Sequence, residues 1–304
     1  MRYYYFNPIS KQYWFPEGFE KFPLFKSFYH PYKFSARILW YIWRNIGIIR
    51  RYFVEQQPGN ILPEKCIRNF VSADDLLAYN LGSRGVEQKT TILGINPTTG
   101  GEFFIKYGET PVARKNVSNE ANILSQLKDL DFVPHLLLYK FTSEYAFIKT
   151  TILKGDRFLI QLEDQQLITV LEKLGHINVE SIIKFGTGLQ VGFAHGDFCP
   201  WNMMKDIAGK ILIYDWEMAG EYPLGFDLFT YIFQTSFLIS NQKSIDQLLK
   251  MNESGIRNYF SRFNIEDWQP YLLAFAEIKF KIETEKQDNL ASSYKLLRSH
   301  AEKI

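Results

Sequence analysis

The chain has 304 residues, 46% of them apolar, and a net charge of +2. That length allows two domains, or one two-lobed domain, with a substantial core, and the near-neutral balance argues against a general attraction to nucleic acid. Two cysteines, Cys66 and Cys199, form no disulfide framework and no Cys/His cluster has zinc spacing. A reducing, cytoplasmic setting is therefore expected, with no secretory signal and no apolar run long enough to span a bilayer.

The charge is uneven. Residues 1–57 hold nine Lys/Arg against three Asp/Glu, and 19 of the 50 aromatic residues. This shift marks an N-terminal region of its own, closed by the breaker-rich "QQPGN" at 56–60. Within it, residues 34–54 have a helical period. Ile38, Ile42, Ile46, Ile49 and Phe53 form one stripe, with Arg37, Arg44 and Arg51 opposite. Such a helix either packs on the body of the protein, meets another subunit, or rests peripherally on an anionic membrane surface.

Residues 75–153 alternate like a small sheet. Strands are expected at 76–83, 89–95 and 102–108, with the turn formers "NPTTGG" closing a hairpin, and again at 135–141 and 145–153. A helix is expected over 116–130. After Gly155 helices dominate: 164–175, 227–240, 244–251, 254–263, 271–283 and a last one from Leu290. The 227–240 segment is apolar nearly all round and should be buried. Two strands interrupt the helices, "LQVGFA" (189–194) and "KILIYDWE" (210–217). The expected division is 1–74, an aromatic and basic extension with an amphipathic helix; 75–153, a small lobe; and 154–304, a helical lobe.

The second lobe carries "HGDFCPWN" at 195–202. Gly196 and Pro200 exclude a packed helix or a central strand, so this is a rigid loop presenting polar side chains. Asp197 and Asn202 stand five apart in it, and Asp215 ends the strand that follows. Carboxylate and amide oxygens suit a hard cation such as Mg²⁺. The spacing H-x-D-x4-N, followed by a strand-end Asp, is that of a kinase catalytic loop and its metal-holding element. In the first lobe, Glu120 lies on the helix face of Ile123, Leu124 and Leu127, where a carboxylate is costly unless paired. Lys106, flanked by strand formers, is its natural partner. Cys199 reads as a small packing residue, since nothing beside it would lower a thiol pKa.

With "HGDFCPWN", "IYDWE" and "GFDLF", residues 75–304 resemble the aminoglycoside phosphotransferase and choline kinase family, small-molecule kinases with the protein-kinase-like fold. The resemblance implies an α+β, two-lobed protein-kinase-like fold: a small antiparallel-sheet N-lobe with one helix, and a mainly helical C-lobe. It implies ATP, or alternatively GTP, with Mg²⁺, and a small-molecule hydroxyl acceptor such as a sugar or amino alcohol of a cell-envelope pathway. Asp197 would be the catalytic base, Asn202 and Asp215 the Mg²⁺ ligands, and Lys106 and Glu120 the phosphate-anchoring pair. Ser83, in the loop "NLGSRG", would meet the phosphates. Lys149 and Thr150 would run past the adenine, and His195 and Asp227 would support the catalytic loop. Gly196 stands where protein kinases have Arg, and no "APE" element follows "DWE", so the resemblance is to the small-molecule kinases. The rival reading is a catalytically inactive, kinase-like nucleotide-binding or membrane-associated scaffold.

Overall fold

The computed structural model describes residues 2–6, 11–29, 34–56, 59, 61–157, 164–186, 188–239 and 243–304. Positions 57, 58 and 60 of the expected breaker segment, and Ser240 at the end of an expected helix, lie outside them. The chain divides into two compact units, Met1–Ala121 with His135–Ile152, and Asn122–Pro134 with Leu153–Ile304.

The first unit is built on an eight-stranded antiparallel sheet in the order β3-β1-β2-β4-β5-β6-β8-β7. Its strands are β1 (Tyr3–Phe6), β2 (Tyr13–Pro16), β3 (Val54–Glu55), β4 (Leu76–Asn80), β5 (Lys89–Ile95), β6 (Glu102–Gly108), β7 (Leu136–Phe141) and β8 (Ala146–Thr150). The β5–β6 hairpin pairs Lys89 with Gly108 through Ile95 with Glu102. Asn96 shapes its turn: its Oδ1 accepts from the N–H groups of Thr98 and Thr99, both at 3.0 Å.

The aromatic N-terminal segment joins this sheet. Tyr13 and Trp14 of β2 pair with Asn80 and Tyr79 of β4, and β1 follows outward. The two faces of the sheet bury different sets. Trp14, Tyr79, Ile92, Ile105 and Tyr107 pack with Leu62 and Ile67 on one side. Phe15, Ala78 and Leu93 pack with Phe19, Phe25, Trp40 and Trp43 on the other. Much of this concentration of aromatics is thus core-forming, each buried ring removing a large apolar area from water.

The remaining elements of this unit are short, apart from two helices. Here α1 is Pro23–Lys26, α2 Phe34–Asn45, α3 Gly47–Arg50, α4 Glu64–Ile67 and α5 Pro111–Gln126, whose last turn from Asn122 falls in the second unit. The helix expected over 34–54 stops at Asn45, because Ile46 is extended (φ −101°, ψ 93°). Its buried residues are Trp40 and Trp43 rather than the isoleucine stripe, of which Ile38 and Ile46 are exposed. Helix α5 begins five residues before the expected start. Thr110 Oγ1 accepts from Ala113 N–H at 3.1 Å and Pro111 opens the first turn, a favourable start for a helix.

The second unit holds β9 (Asp156–Arg157), β10 (Val191–Ala194), β11 (Met203–Lys205), β12 (Ile211–Ile213) and β13 (Gly220–Pro223). Its helices are α6 (Asp164–Gly175), α7 (Phe226–Phe229), α8 (Thr235–Ile239), α9 (Ile245–Ser261), α10 (Gln269–Glu285) and α11 (Leu290–Ala301). The expected break near Gly255 is absent. Ser244 and Gln247 form a capping box and one helix runs through the glycine, whose cost there is only about 1 kcal/mol. Residues 226–234 are all buried, as their apolar pattern requires, but a π-helical turn, Thr230–Gln234, separates α7 from α8. Phe229, Phe233, Phe260, Phe275 and Tyr294 form a connected set of rings across α7 to α11.

Candidate active site

Two hairpins position the loop at 195–202. Strand β10 runs into His195 and pairs with β13, Ala194 opposite Gly220. Strand β11 leaves Asn202 and pairs with β12, Met203 opposite Ile213. The loop and the segment after β12 are therefore neighbours. His195 Nε2 meets Tyr214 O at 3.0 Å, Tyr214 N–H donates to Asn202 O at 3.1 Å, and the Tyr214 hydroxyl donates to Trp201 O.

The loop backbone hangs on Asp227. This buried carboxylate accepts from His195 N–H at 2.7 Å and from Gly196 N–H at 2.9 Å. Burial pushes its pKa upward, against the pull of the two backbone N–H donors and of the Lys279 ammonium. The His195 ring is fully buried, edge-on to Trp216 at 4.7 Å. Its Nδ1 accepts from Asp197 N–H at 3.3 Å, so Nε2 carries the proton donated to Tyr214 O. Gly196 has φ +82°, and an added Cβ would lie 2.2 Å from Met218 O. That is why no arginine can stand at this position here.

The carboxylate of Asp197 is held by two amides. Asn202 Nδ2 donates to Asp197 Oδ2 and to Asp197 O, both at 2.8 Å. Gln234 Nε2 donates to Asp197 Oδ1 at 2.6 Å. Gln234 is itself oriented: its Oε1 accepts from Lys279 Nζ at 2.8 Å and from Tyr294 OH at 3.1 Å. Lys279 Nζ also donates to Gly196 O at 3.2 Å. A buried ammonium thus fixes the glutamine amide, which fixes the carboxylate, and ties to the loop backbone as well. Gln234 ends the π-helical turn, a feature that recurs at functional sites.

Gln234, Lys279 and Tyr294 were absent from the residues read off the sequence. Lys279 did carry a signal. With Leu272, Phe275, Ala276 and Glu283 it lies on one helix stripe, and all five are buried. A lysine on such a stripe needs a partner. Glu283, one turn on, is held above its ordinary range by burial, partly offset by Lys279. Burial, and then Asp197, push the Cys199 thiol well above its ordinary value, so it is a packing group.

Asn202 spends its amide nitrogen on Asp197, which leaves Oδ1 as the acceptor for a cation. Asp215 follows β12 in the left-handed region at φ +71°, a conformation that aspartate tolerates and that clusters at functional sites. One amide oxygen and one carboxylate are a donor set that suits Mg²⁺, which keeps several of its waters.

In the first unit, Lys106 Nζ meets Glu120 Oε2 at 2.5 Å, with both residues buried. Strand β6 alternates, sending Phe103, Ile105 and Tyr107 to one face and Lys106 to the other. Lys106 opposes Ile148, and Thr150 opposes Phe104, so Thr150 shares the face of Lys106. Lys149 opposes Ile105 and takes the other face, its Nζ 3.9 Å from the Phe103 ring centre. The side chain of Lys149 therefore lies on the face away from Lys106, and only its backbone runs beside Thr150. Ser83 is exposed in the loop between β4 and β5.

Residues 153–271 match the model of the phosphotransferase enzyme family, APH. No curated protein sequence matches the chain. Among solved structures, choline kinase LicA from Streptococcus pneumoniae is similar at 15% identity over 79% of this chain and 98% of that one, with a TM-score of 0.54. Aminoglycoside phosphotransferase APH(4)-Ia is similar at 10% identity over 79% and 97%, with a TM-score of 0.53. An ethanolamine kinase of Plasmodium vivax is similar at 11% identity over 79% and 85%, with a TM-score of 0.50. The resemblance read from the motifs therefore holds, and the fold is the two-lobed, α+β kinase-like fold.

Proposed function

We propose that the protein is a small-molecule kinase that transfers the γ-phosphoryl group of ATP to an acceptor hydroxyl. The observation that carries this is the Asp197 carboxylate, held at 2.8 and 2.6 Å by the amides of Asn202 and Gln234. A carboxylate oriented this way can take the proton of a hydroxyl as the transition state develops. Asn202 and Asp215 would hold Mg²⁺, which when bound neutralises charge on the phosphates. Lys106, held by Glu120, would place its ammonium against the phosphates, and the backbone at Lys149 and Thr150 would border the adenine. Positioning and charge neutralisation account for most of the acceleration in such a mechanism.

ATP is preferred to GTP because similar structures are recorded with AMP and with ADP plus hygromycin B. A sugar or amino alcohol is the acceptor class that the kinases of similar fold suggest. A reducing, cytoplasmic setting fits the two free cysteines, and no helix among the described residues is long and apolar enough to cross a membrane.

The test is Mg²⁺-dependent ADP release across a panel of sugars, amino alcohols and aminoglycosides, with Asp197→Asn alongside. The variant should keep Mg·ATP binding and lose turnover by at least about a hundredfold. Tight ATP binding by the native chain with no acceptor-dependent ADP release would instead favour the inactive scaffold.

A further inference from the structure

We propose that helix α2 and the turn after it form a docking surface for an anionic membrane. The helix presents opposite sides to two environments. Trp40 and Trp43 are buried among Phe6, Phe15, Phe19 and Tyr29. Phe34, Ile38 and Tyr41, spaced i, i+4, i+7, lie on the opposite side and are exposed, Phe34 at 77% and Tyr41 at 61%. Beyond the break at Ile46, Ile48 and Tyr52 are exposed as well, Tyr52 at 81%.

Charge selects the occupant. From Lys21 to Val54 the sequence has seven Lys/Arg and no Asp/Glu, although the whole chain carries only +2. Arg50 is spent inside: it is buried and its guanidinium lies 3.5 Å from Glu20. Arg37 and Arg51 are on the surface, and Arg44 lies over the Tyr41 ring at 5.5 Å. Exposed Phe, Ile and Tyr rimmed by arginines match a lipid interface, where apolar side chains enter the acyl boundary and cations meet anionic headgroups. The same charge disfavours a second copy of this chain, because like-charged faces would oppose each other.

The test is co-sedimentation of the full chain with phosphatidylcholine vesicles and with vesicles in which a third of the lipid is phosphatidylglycerol. The chain should bind the anionic vesicles in preference, and less so as salt rises. Phe34→Ser with Tyr41→Ser should abolish binding while the melting temperature holds, because both side chains are exposed. Arg37→Gln with Arg51→Gln should weaken it about thirtyfold, near fivefold per cation. Equal binding to both vesicle types, or none to either, overturns the proposal. So does self-association in solution that Phe34→Ser with Tyr41→Ser disperses without any vesicle binding, which would make this face a contact between copies.

Discussion

Replacing Asp227 by asparagine tests what holds the loop at 195–202. The native carboxylate accepts two buried backbone N–H bonds, 2.7 Å from His195 and 2.9 Å from Gly196. Asparagine has the same shape but one acceptor oxygen. Its NH₂ must face one of the two N–H groups and leave that donor unmet. Each bond to a charged acceptor contributes about 1.5–3 kcal/mol, and an orphaned buried donor costs about 1–3 kcal/mol. Removing the charge gives some of this back, because burial already disfavours the ionised carboxylate. A net loss of about 2–4 kcal/mol follows. At roughly 2–4 °C per kcal/mol for a unit of this size, the melting temperature should fall by about 4–16 °C. Thermal unfolding at neutral pH, followed by circular dichroism, reads this directly, and amide exchange at His195 and Gly196 should quicken with it. Asp129→Asn, at an exposed turn position in the same unit, is the control and should move stability by less than about 0.5 kcal/mol. If Asp227→Asn melts within about 1 °C of the native chain, the loop does not depend on this carboxylate and the reasoning fails.

Gln234→Leu removes the donor on Asp197 Oδ1 and should lower kcat for ADP release roughly tenfold with nucleotide KM little changed; an equal loss in both would point to misfolding. Gln234→Glu sets a second carboxylate against Asp197, a repulsion of about 6 kcal/mol at the native 2.6 Å contact and an effective dielectric of 20. The acid limb of its pH–rate profile should move to higher pH, and an unmoved limb would contradict the contact. Glu283 has a raised folded pKa, so the native state binds its proton more readily than the unfolded chain. Its contribution to stability is largest below the ordinary carboxylate value and is lost as pH rises through the raised folded value. Glu283→Gln should therefore gain on the native chain in melts taken from pH 4 to pH 7, and a constant difference would refute this. With a thiol-reactive maleimide at neutral pH, the half-buried Cys66 should label well before Cys199, which is buried and has a raised pKa. Equal labelling would show that the loop opens readily.

What the sequence made legible was chemistry confined to short stretches. "HGDFCPWN" is one loop and "IYDWE" one strand end, so their spacing alone marked Asp197, Asn202 and Asp215 as one set; that Asn202 Nδ2 donates to Asp197 Oδ2 is what the structure adds. Lys106 and Glu120 lie fourteen apart, but each broke a local apolar pattern, and a buried charge looks for its opposite. The strands of the small sheet alternate and were readable from 76 to 150. Strands β1 and β2 were not, because "YYYF" and "YWFP" are apolar on both faces and show no period of two. Their partners decide them: Trp14 and Phe15 become core only beside β4. Gln234 and Lys279 show the same limit within the site. Each sits in a helix whose apolar neighbours hide it, 37 and 82 residues from Asp197. The two are linked only through a single amide oxygen and a π turn that no residue pattern announces. A buried lysine on an apolar helix stripe is nonetheless an unpaid electrostatic cost in any folded chain. Its partner must lie on another element, and a buried polar loop such as 195–202 is where to look for it.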